Sequence, residues 1–411
     1  VGGGGGGLEK MTALTSLTLP FVGSNNSNSF ASVFGKSEYE GGIICNTFDG
    51  LNNKRYYIPS TLVSVTIQNS VLPQFAFYGC SGLQSITFNQ SVALRYEEIG
   101  EGTDADKKLV GIEGAFSGCD NLLAVNLGAN YLLTDGILYD KDMKFIVAVL
   151  KSRTDSSLVL SDSVKGILGY ALSGSNVANL TLSANTEFFD ADSLIGSNVT
   201  TLNVPSQNSY FTDFNSQGLI VTKDLSQAIF LSDGFSGILT LPSQLSSVNF
   251  AVLNKGTVTK FAFDNESAKF EISSGIILNK EKTRILAVPN SLSGDIVLPN
   301  SIISFDNSAF ENLAVTSITL VDSLGAESAG QTYSTQGGVL YNAGKTVLIF
   351  APKDISGDLI LPETLTDISD SAFSGRVKLT SITAKSKLSK IGGYAFENIT
   401  ASINLANDGS L

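Results

Sequence analysis

Short runs in which apolar and polar residues alternate recur along this chain at a nearly fixed interval. The form L-x-x-L-x-L first occurs at Leu14, Leu17 and Leu19, then at Leu62/Val65/Ile67, Leu83/Ile86/Phe88 and Leu122/Val125/Leu127. Later copies are Val177/Leu180/Leu182, Val199/Leu202/Val204, Val258/Phe261/Phe263, Val315/Ile318/Leu320 and Leu379/Ile382/Ala384, with a weaker one ending at Ile403/Leu405. A second set keeps only the alternating pair: Leu158/Leu160, Leu239/Leu241, Ile296/Leu298 and Leu359/Leu361. Seven of the thirteen steps between successive run ends are 21 to 23 residues long. Within a run the two apolar residues are separated by one position, so both side chains point to one face of a strand. One strand cannot bury that face alone, but stacked strands merge their faces into a continuous core.

A step of this length is one coil of a leucine-rich repeat. The pattern therefore predicts a leucine-rich-repeat solenoid, mostly β, with one long parallel sheet of about fourteen strands and little helix. The six longer steps predict coils that carry insertions, and the insertions resemble one another. DGILYDKD near Gly136, QGLIVTKD near Gly218, SGIILNKE near Gly275 and GGVLYNAG near Gly338 are each followed by a second apolar run. Two β-rich runs around a short polar turn read as a β-hairpin. An A-F pair recurs as well, and its Phe77, Phe116, Phe310, Phe373 and Phe396 occupy an equivalent place in their coils. They are expected to fill the core from the wall opposite the sheet, a role that outweighs a ligand-stacking ladder.

Composition narrows the chemistry. The 411 residues are 43% hydrophobic and 16% charged, which excludes a disordered chain. The net charge of −12 disfavours nucleic acid and anionic membrane surfaces as partners. No apolar run is long enough for membrane insertion within this chain. There is no His and no Trp. Without His, the Ser-His-Asp and Cys-His nucleophilic systems are excluded, and with them the commonest general base and metal ligand. No enzyme activity, metal or cofactor is expected.

The residues Ile58 to Phe88, IPSTLVSVTIQNSVLPQFAFYGCSGLQSITF, resemble the BspA-like class of bacterial leucine-rich-repeat proteins. The marks are the A-F-x-x-C block, the S-I-T strand and the P-x-S-x turn. GAFSGCDNLLAVNL from Gly114, SAFSGRVKLTSIT from Ser371, the G-V-L-Y-N hairpins and FASVFGKSEYEGG from Phe30 are similar to elements of the same class. The resemblance runs from about Leu14 to Leu405. It implies an extracellular or cell-surface protein that adheres to host or neighbouring-cell molecules, without catalysis. Over about 187–269 the chain departs from the pattern, the A-F block becoming Leu194-Ile195 and Ala251-Val252, so irregular coils are expected there. The resulting layout is a Gly-rich tether and lead-in over residues 1–13, then a single solenoid over 14–411. The final strand is followed only by ANDGSL (406–411), too short for a cap. The chain is therefore expected to be a fragment of a longer protein.

The residues between the paired apolar positions should face outward on the sheet, the usual binding surface of a solenoid being its concave sheet face. Ten of the fourteen are Thr or Asn. Thr87, Asn126, Thr181, Asn203 and Thr319 are the candidate ligand-binding residues, for an unknown protein or glycan, although Thr is also simply a good strand residue. Aromatic and Arg anchors are scarce here, so weak multivalent contact fits better than one hot spot. Two other readings remain open, a carbohydrate-active enzyme on a parallel β-helix and a structural spacer or stalk. Cys80 and Cys119 each precede the leading Leu of their coil by three residues, which makes them equivalent positions in neighbouring coils. They are either a disulfide or two buried thiols acting as small hydrophobes. Cys45 has no equivalent. The acid pairs Asp104/Asp106, Asp140/Asp142 and Asp190/Asp192 lack the ligand spacing of a calcium loop and read as turn residues.

Overall fold

The computed structural model describes residues 6–23, 29–48, 53–99 and 106–405. The chain forms two compact units, Val1–Asp213 and Phe214–Leu411, each a β-solenoid. Ala406 to Leu411, Asp104 and most of the Gly tract lie outside the described residues.

Every alternating run is a strand, fourteen in all, and those that pair with one another do so in parallel. In the first unit Ser16–Leu19, Ser64–Ile67, Ser85–Phe88 and Ala124–Asn126 form one ladder. Ser157–Val159, Asn179–Thr181 and Thr201–Asn203 form the next. In the second unit the ladders are Ser236–Leu241 with Thr257–Phe263, Ser293–Pro299 with Ala314–Val321, and Gly357–Ile360 with Leu379–Thr383 and Ser402–Asn404. The register aligns like with like. Val65 lies opposite Leu17 and Ile86, and Ile318 opposite Ile296, so inward residues stack into apolar columns. The backbone pairing is thus divided into five ladders rather than one uninterrupted sheet.

The inserted hairpins explain the division. Three of them lie wholly within one unit as three-stranded meanders: Tyr131–Thr134/Ile137–Asp140/Phe145–Val149, Phe270–Ser273/Ile276–Asn279/Ile285–Ala287 and Tyr333–Gln336/Val339–Asn342/Val347–Phe350. The expected two runs are the second and third strands, and the upstream strand extends the expectation. A fourth insertion pairs Leu219–Thr222 with Ala228–Leu231. In the second unit the tip of a meander wedges between ladders. Gly275 O accepts Phe261 N at 2.9 Å from the preceding ladder, while Ser274 Oγ accepts Val297 N at 2.8 Å from the following one. Ser274 and Gly275 have φ of 50° and 79°, as a type I′ turn requires. A Cβ on Gly275 would lie 2.6 Å from Lys260 Cβ, so the close approach of the tip needs glycine.

The far turn of each insertion is closed by one side chain at an equivalent position. Asp140 Oδ1 accepts the Lys144 and Phe145 amides at 2.7 Å each, and Asn342 Oδ1 those of Thr346 and Val347 at 2.8 and 3.0 Å. Asn279 does the same for Thr283 and Arg284.

The wall opposite the sheet carries the A-F blocks. Phe77, Phe310 and Phe373 are fully buried and Phe116 nearly so, while Phe396 is half-buried. Phe77 stacks on Phe116 with centroids 6.1 Å apart, and Phe373 on Phe396 at 5.4 Å. Where the block degenerates, the chain substitutes short helical turns. Ala191–Leu194 is a 3-10 turn capped by Asp190, and Phe250–Leu253 is a single α-helical turn capped by Asn249.

Candidate functional site

The strand register sets the outward residues in columns. Thr18, Thr66, Thr87 and Asn126 lie side by side across the first ladder. Val159, Thr181 and Asn203 do so across the second. Thr319 adjoins Val297 in the second unit. Thr87 is thereby brought beside Asn126 and Thr181 beside Asn203, whereas the two pairs occupy different ladders. Asn126 and Asn203 are exposed, and Thr87, Thr181 and Thr319 are half-buried between their neighbours. The Asn203 amide donates to Thr181 Oγ1 at 3.4 Å, and Asn126 Oδ1 accepts Gly128 N at 3.0 Å.

A second outward column escaped the sequence reading. Ser16, Ser64 and Ser85 align two positions before the threonines, on the same face. The signal is present in the sequence as S-x-T, the serine one period before the outward threonine. In the second unit this column holds Asp295 beside Ser317 and Asp358 beside Ser381. Asp295 Oδ1 accepts Thr316 Oγ1 at 2.7 Å and Ser317 Oγ at 2.6 Å, and Asp358 Oδ1 accepts Thr380 Oγ1 and Ser381 Oγ at 2.6 Å each. These hydroxyl donors hold both carboxyls below their ordinary value. Among the hydroxyls stand exposed apolar residues, Val159 at 71% and Ile360 at 65% exposure. The face therefore offers hydroxyl, amide and methyl contacts with little free charge.

The acid pairs serve the backbone. Asp140 closes its turn, and burial pushes its carboxyl up despite the two amides it accepts. Asp190 accepts the Asp192 and Ser193 amides at 2.9 and 3.3 Å as a helix cap. Among the described residues no group of three Asp, Glu, Cys or His side chains is placed to hold a metal ion.

The three cysteines are free and buried. Cys80 lies next to Cys45, with sulfurs 3.7 Å apart, while Cys119 Sγ donates to Phe77 O at 3.1 Å. The residue without an equivalent is thus the neighbour of Cys80. Burial pushes the Cys80 and Cys119 thiols up, away from the reactive thiolate.

The sequence model of the BspA type leucine rich repeat region matches in six copies, over residues 11–103, 150–219, 289–329 and 349–408, more than half of the chain. This chain belongs to the BspA-type leucine-rich-repeat family. No curated protein matches it. Among solved structures it is similar to the pneumococcal vaccine antigen PcpA, at 15% identity over 67% of this chain and 71% of that one, with a TM-score of 0.29. It is also similar to a leucine-rich repeat protein from Eubacterium ventriosum, at 14% identity over 68% and 70% of the two chains and a TM-score of 0.28. A third is a leucine-rich cell surface protein from Faecalibacterium prausnitzii, at 15% identity over 67% of each chain and a TM-score of 0.31. At these scores the superpositions are loose. The matched segments of the BspA-type model include most of the strands that carry the outward columns.

Proposed function

We propose that this BspA-type repeat protein is a non-enzymatic adhesion protein, secreted or displayed on a cell surface, that binds a protein or glycan through the outward faces of its ladders. The observation that carries the reading is the registered column Thr18–Thr66–Thr87–Asn126 with the serines beside it. Hydroxyls repeated at the strand spacing of about 4.8 Å match a ligand that itself repeats. Each contact is weak, and several engaged together give avidity. The absence of His from the sequence agrees with a role in which nothing is turned over.

The test is a glycan array and a panel of extracellular-matrix proteins, probed with the wild-type chain and with Thr66→Arg/Thr87→Arg. Binding that the double substitution abolishes supports the reading. Binding that survives it moves the site elsewhere. Turnover of a polysaccharide by the pure protein, abolished by a point substitution, would favour the carbohydrate-active alternative. No binding anywhere would favour a spacer.

A further inference from the structure

The four insertions each present a final strand whose outer edge needs a partner. Three have one. Phe145–Val149 pairs in parallel with Gly166–Ile167, and Val347–Phe350 with Asp367–Ile368. Ala228–Leu231 is packed by the helical turn Phe250–Leu253. The fourth, Ile285–Ala287, does not. On one side it pairs with Ile276–Asn279. On the other, Ile303 N donates to Thr283 O at 2.9 Å and the pairing then stops, and among the described residues no strand adjoins that edge.

One residue explains the gap. Ala287 stands opposite Ile277 as Ala148 stands opposite Leu138 in a paired copy, so a small residue there leaves room without by itself opening the edge. Phe305 occupies the place that Ile368 and Ile167 hold in the paired copies, and it is drawn aside. Its ring stacks on Phe310 with centroids 4.6 Å apart and reaches Phe350 at 5.6 Å. What remains is a cleft of about 680 Å³ with Phe250, Ile285, Ala287, Val288, Phe305 and Phe310 in its walls. That volume lies within the range of ligand sites, about 300–1,000 Å³. Phe250 is 43% exposed there.

We propose that this cleft is a peptide-binding site, in which an extended segment of a partner adds as a parallel strand to Ile285–Ala287 and buries a β-branched apolar side chain. The chain supplies its own template. In the paired copies the added strand is Gly-Ile or Asp-Ile, and the amide after the Ile donates to the edge, Leu168 N to Ile146 O at 2.9 Å and Ser369 N to Leu348 O at 3.2 Å. Ile285 is the equivalent acceptor in the open copy. Main-chain bonds to an exposed edge give affinity, and the pocket gives side-chain preference. The net charge of −12 favours a neutral or basic segment over an acidic one. The site is separate from the ladder faces and does not rest on the adhesion reading.

The probe is the acetylated, amidated peptide SVKGILG, residues 163–169 of this chain, carrying a fluorophore and titrated by anisotropy against the whole protein. Saturable binding is expected. N-methylation of the probe at the residue corresponding to Leu168 removes the donor to Ile285 O and should weaken binding about tenfold. Ala287→Phe should fill the cleft and abolish it. Should that variant not fold, Phe305→Ile serves instead. It restores the residue of the paired copies, lets the chain close its own edge, removes probe binding and slows amide exchange around Ile285. No saturable binding, or binding indifferent to N-methylation and to both substitutions, would overturn the proposal. So would slow exchange around Ile285 in the wild-type chain, since the edge would then already be paired. Glycan binding by the ladder faces should be unchanged in both variants.

Discussion

Arg376 is the largest fully buried side chain, 2% exposed, and its removal should be the most damaging single truncation in the second unit. It stands where Cys80 and Cys119 stand in their A-F-x-x-C blocks. Its Nε and Nη2 donate to Ala351 O at 3.0 and 2.8 Å, and Nη1 donates to Ser374 O at 2.6 Å. Nη1 and Nη2 also reach the two oxygens of Glu311 at 2.7 and 3.3 Å, and the guanidinium lies 5.5 Å from the centroid of the Phe350 ring. Arg376→Ala leaves the buried Ala351 carbonyl without its partner, at about 1–3 kcal/mol. It also opens a void against Phe350. Breaking a buried pair from one side costs about 3–5 kcal/mol in general. Glu311 is 44% exposed, so water recovers part of its loss, and the expected figure is near the lower end, about 3 kcal/mol. Glu311→Gln keeps the arginine and its carbonyl bonds, and should cost no more than about 1 kcal/mol. Urea unfolding followed by tyrosine fluorescence, with amide exchange near Phe373 to assign the loss to this unit, measures both. A loss below about 1 kcal/mol for Arg376→Ala would refute the reasoning. So would equal losses for the two variants, because the carboxylate rather than the carbonyl would then be the partner that matters.

Three further outcomes follow from the same geometry. Phe116→Ala, Phe310→Ala and Phe373→Ala should each cost about 3–5 kcal/mol by calorimetry or urea, and losses below about 1 kcal/mol at all three would mean the register is wrong. The Asp140 carboxyl is raised by burial, so its protonated form suits the fold and its contribution is lost as pH rises through the folded value. Asp140→Asn, which matches Asn279 and Asn342, should therefore stabilise at neutral pH, with the gain shrinking in acid; a melting-temperature series across pH reads this, and a gain independent of pH would contradict it. Asp295 and Asp358 run the opposite way, since a depressed carboxyl stabilises above its unfolded value and loses that contribution as pH falls through the folded one. Asp295→Asn and Asp358→Asn should lower the melting temperature at neutral pH and become indistinguishable from wild type below the ordinary carboxyl range.

The strands were legible because alternation is a local signal. A pair such as Val65/Ile67 has one inward face whatever surrounds it, and stacking follows from that. The hairpins were legible in their second and third strands, which are apolar, follow a glycine and flank a polar turn. Their upstream strands were not. FEIS and YSTQ are short and mixed, and they become strands only because an adjacent strand offers a free edge. The ladder breaks were equally hidden, since they depend on where the tips at Gly275 and Gly338 fall in space. Of the candidate site, the threonine and asparagine positions were readable, and the serine column needed only the same period carried two residues further back. The open edge at Ile285 required comparison of the copies, in which Phe305 is the exception where the paired ones have Ile167 and Ile368. Cys45 had no sequence signal at all, because its neighbour Cys80 is reached through a hairpin fold-back.

The interruption of backbone pairing has a consequence for how the protein comes apart. In an uninterrupted solenoid each coil is coupled to the next by the same row of hydrogen bonds, so disorder started anywhere travels along the row. Within this chain the row ends at the inserted tips, and at the tip Ser274–Gly275 the contact passes through a glycine carbonyl and a serine hydroxyl. Such joints act as firebreaks. Local opening should spread through the two, three or four coils of one ladder and halt at its boundary, giving amide-exchange rates grouped in blocks of whole ladders. A protein built this way tolerates damage to one block, by a protease or by mechanical pull, while its neighbours keep their outward columns in register.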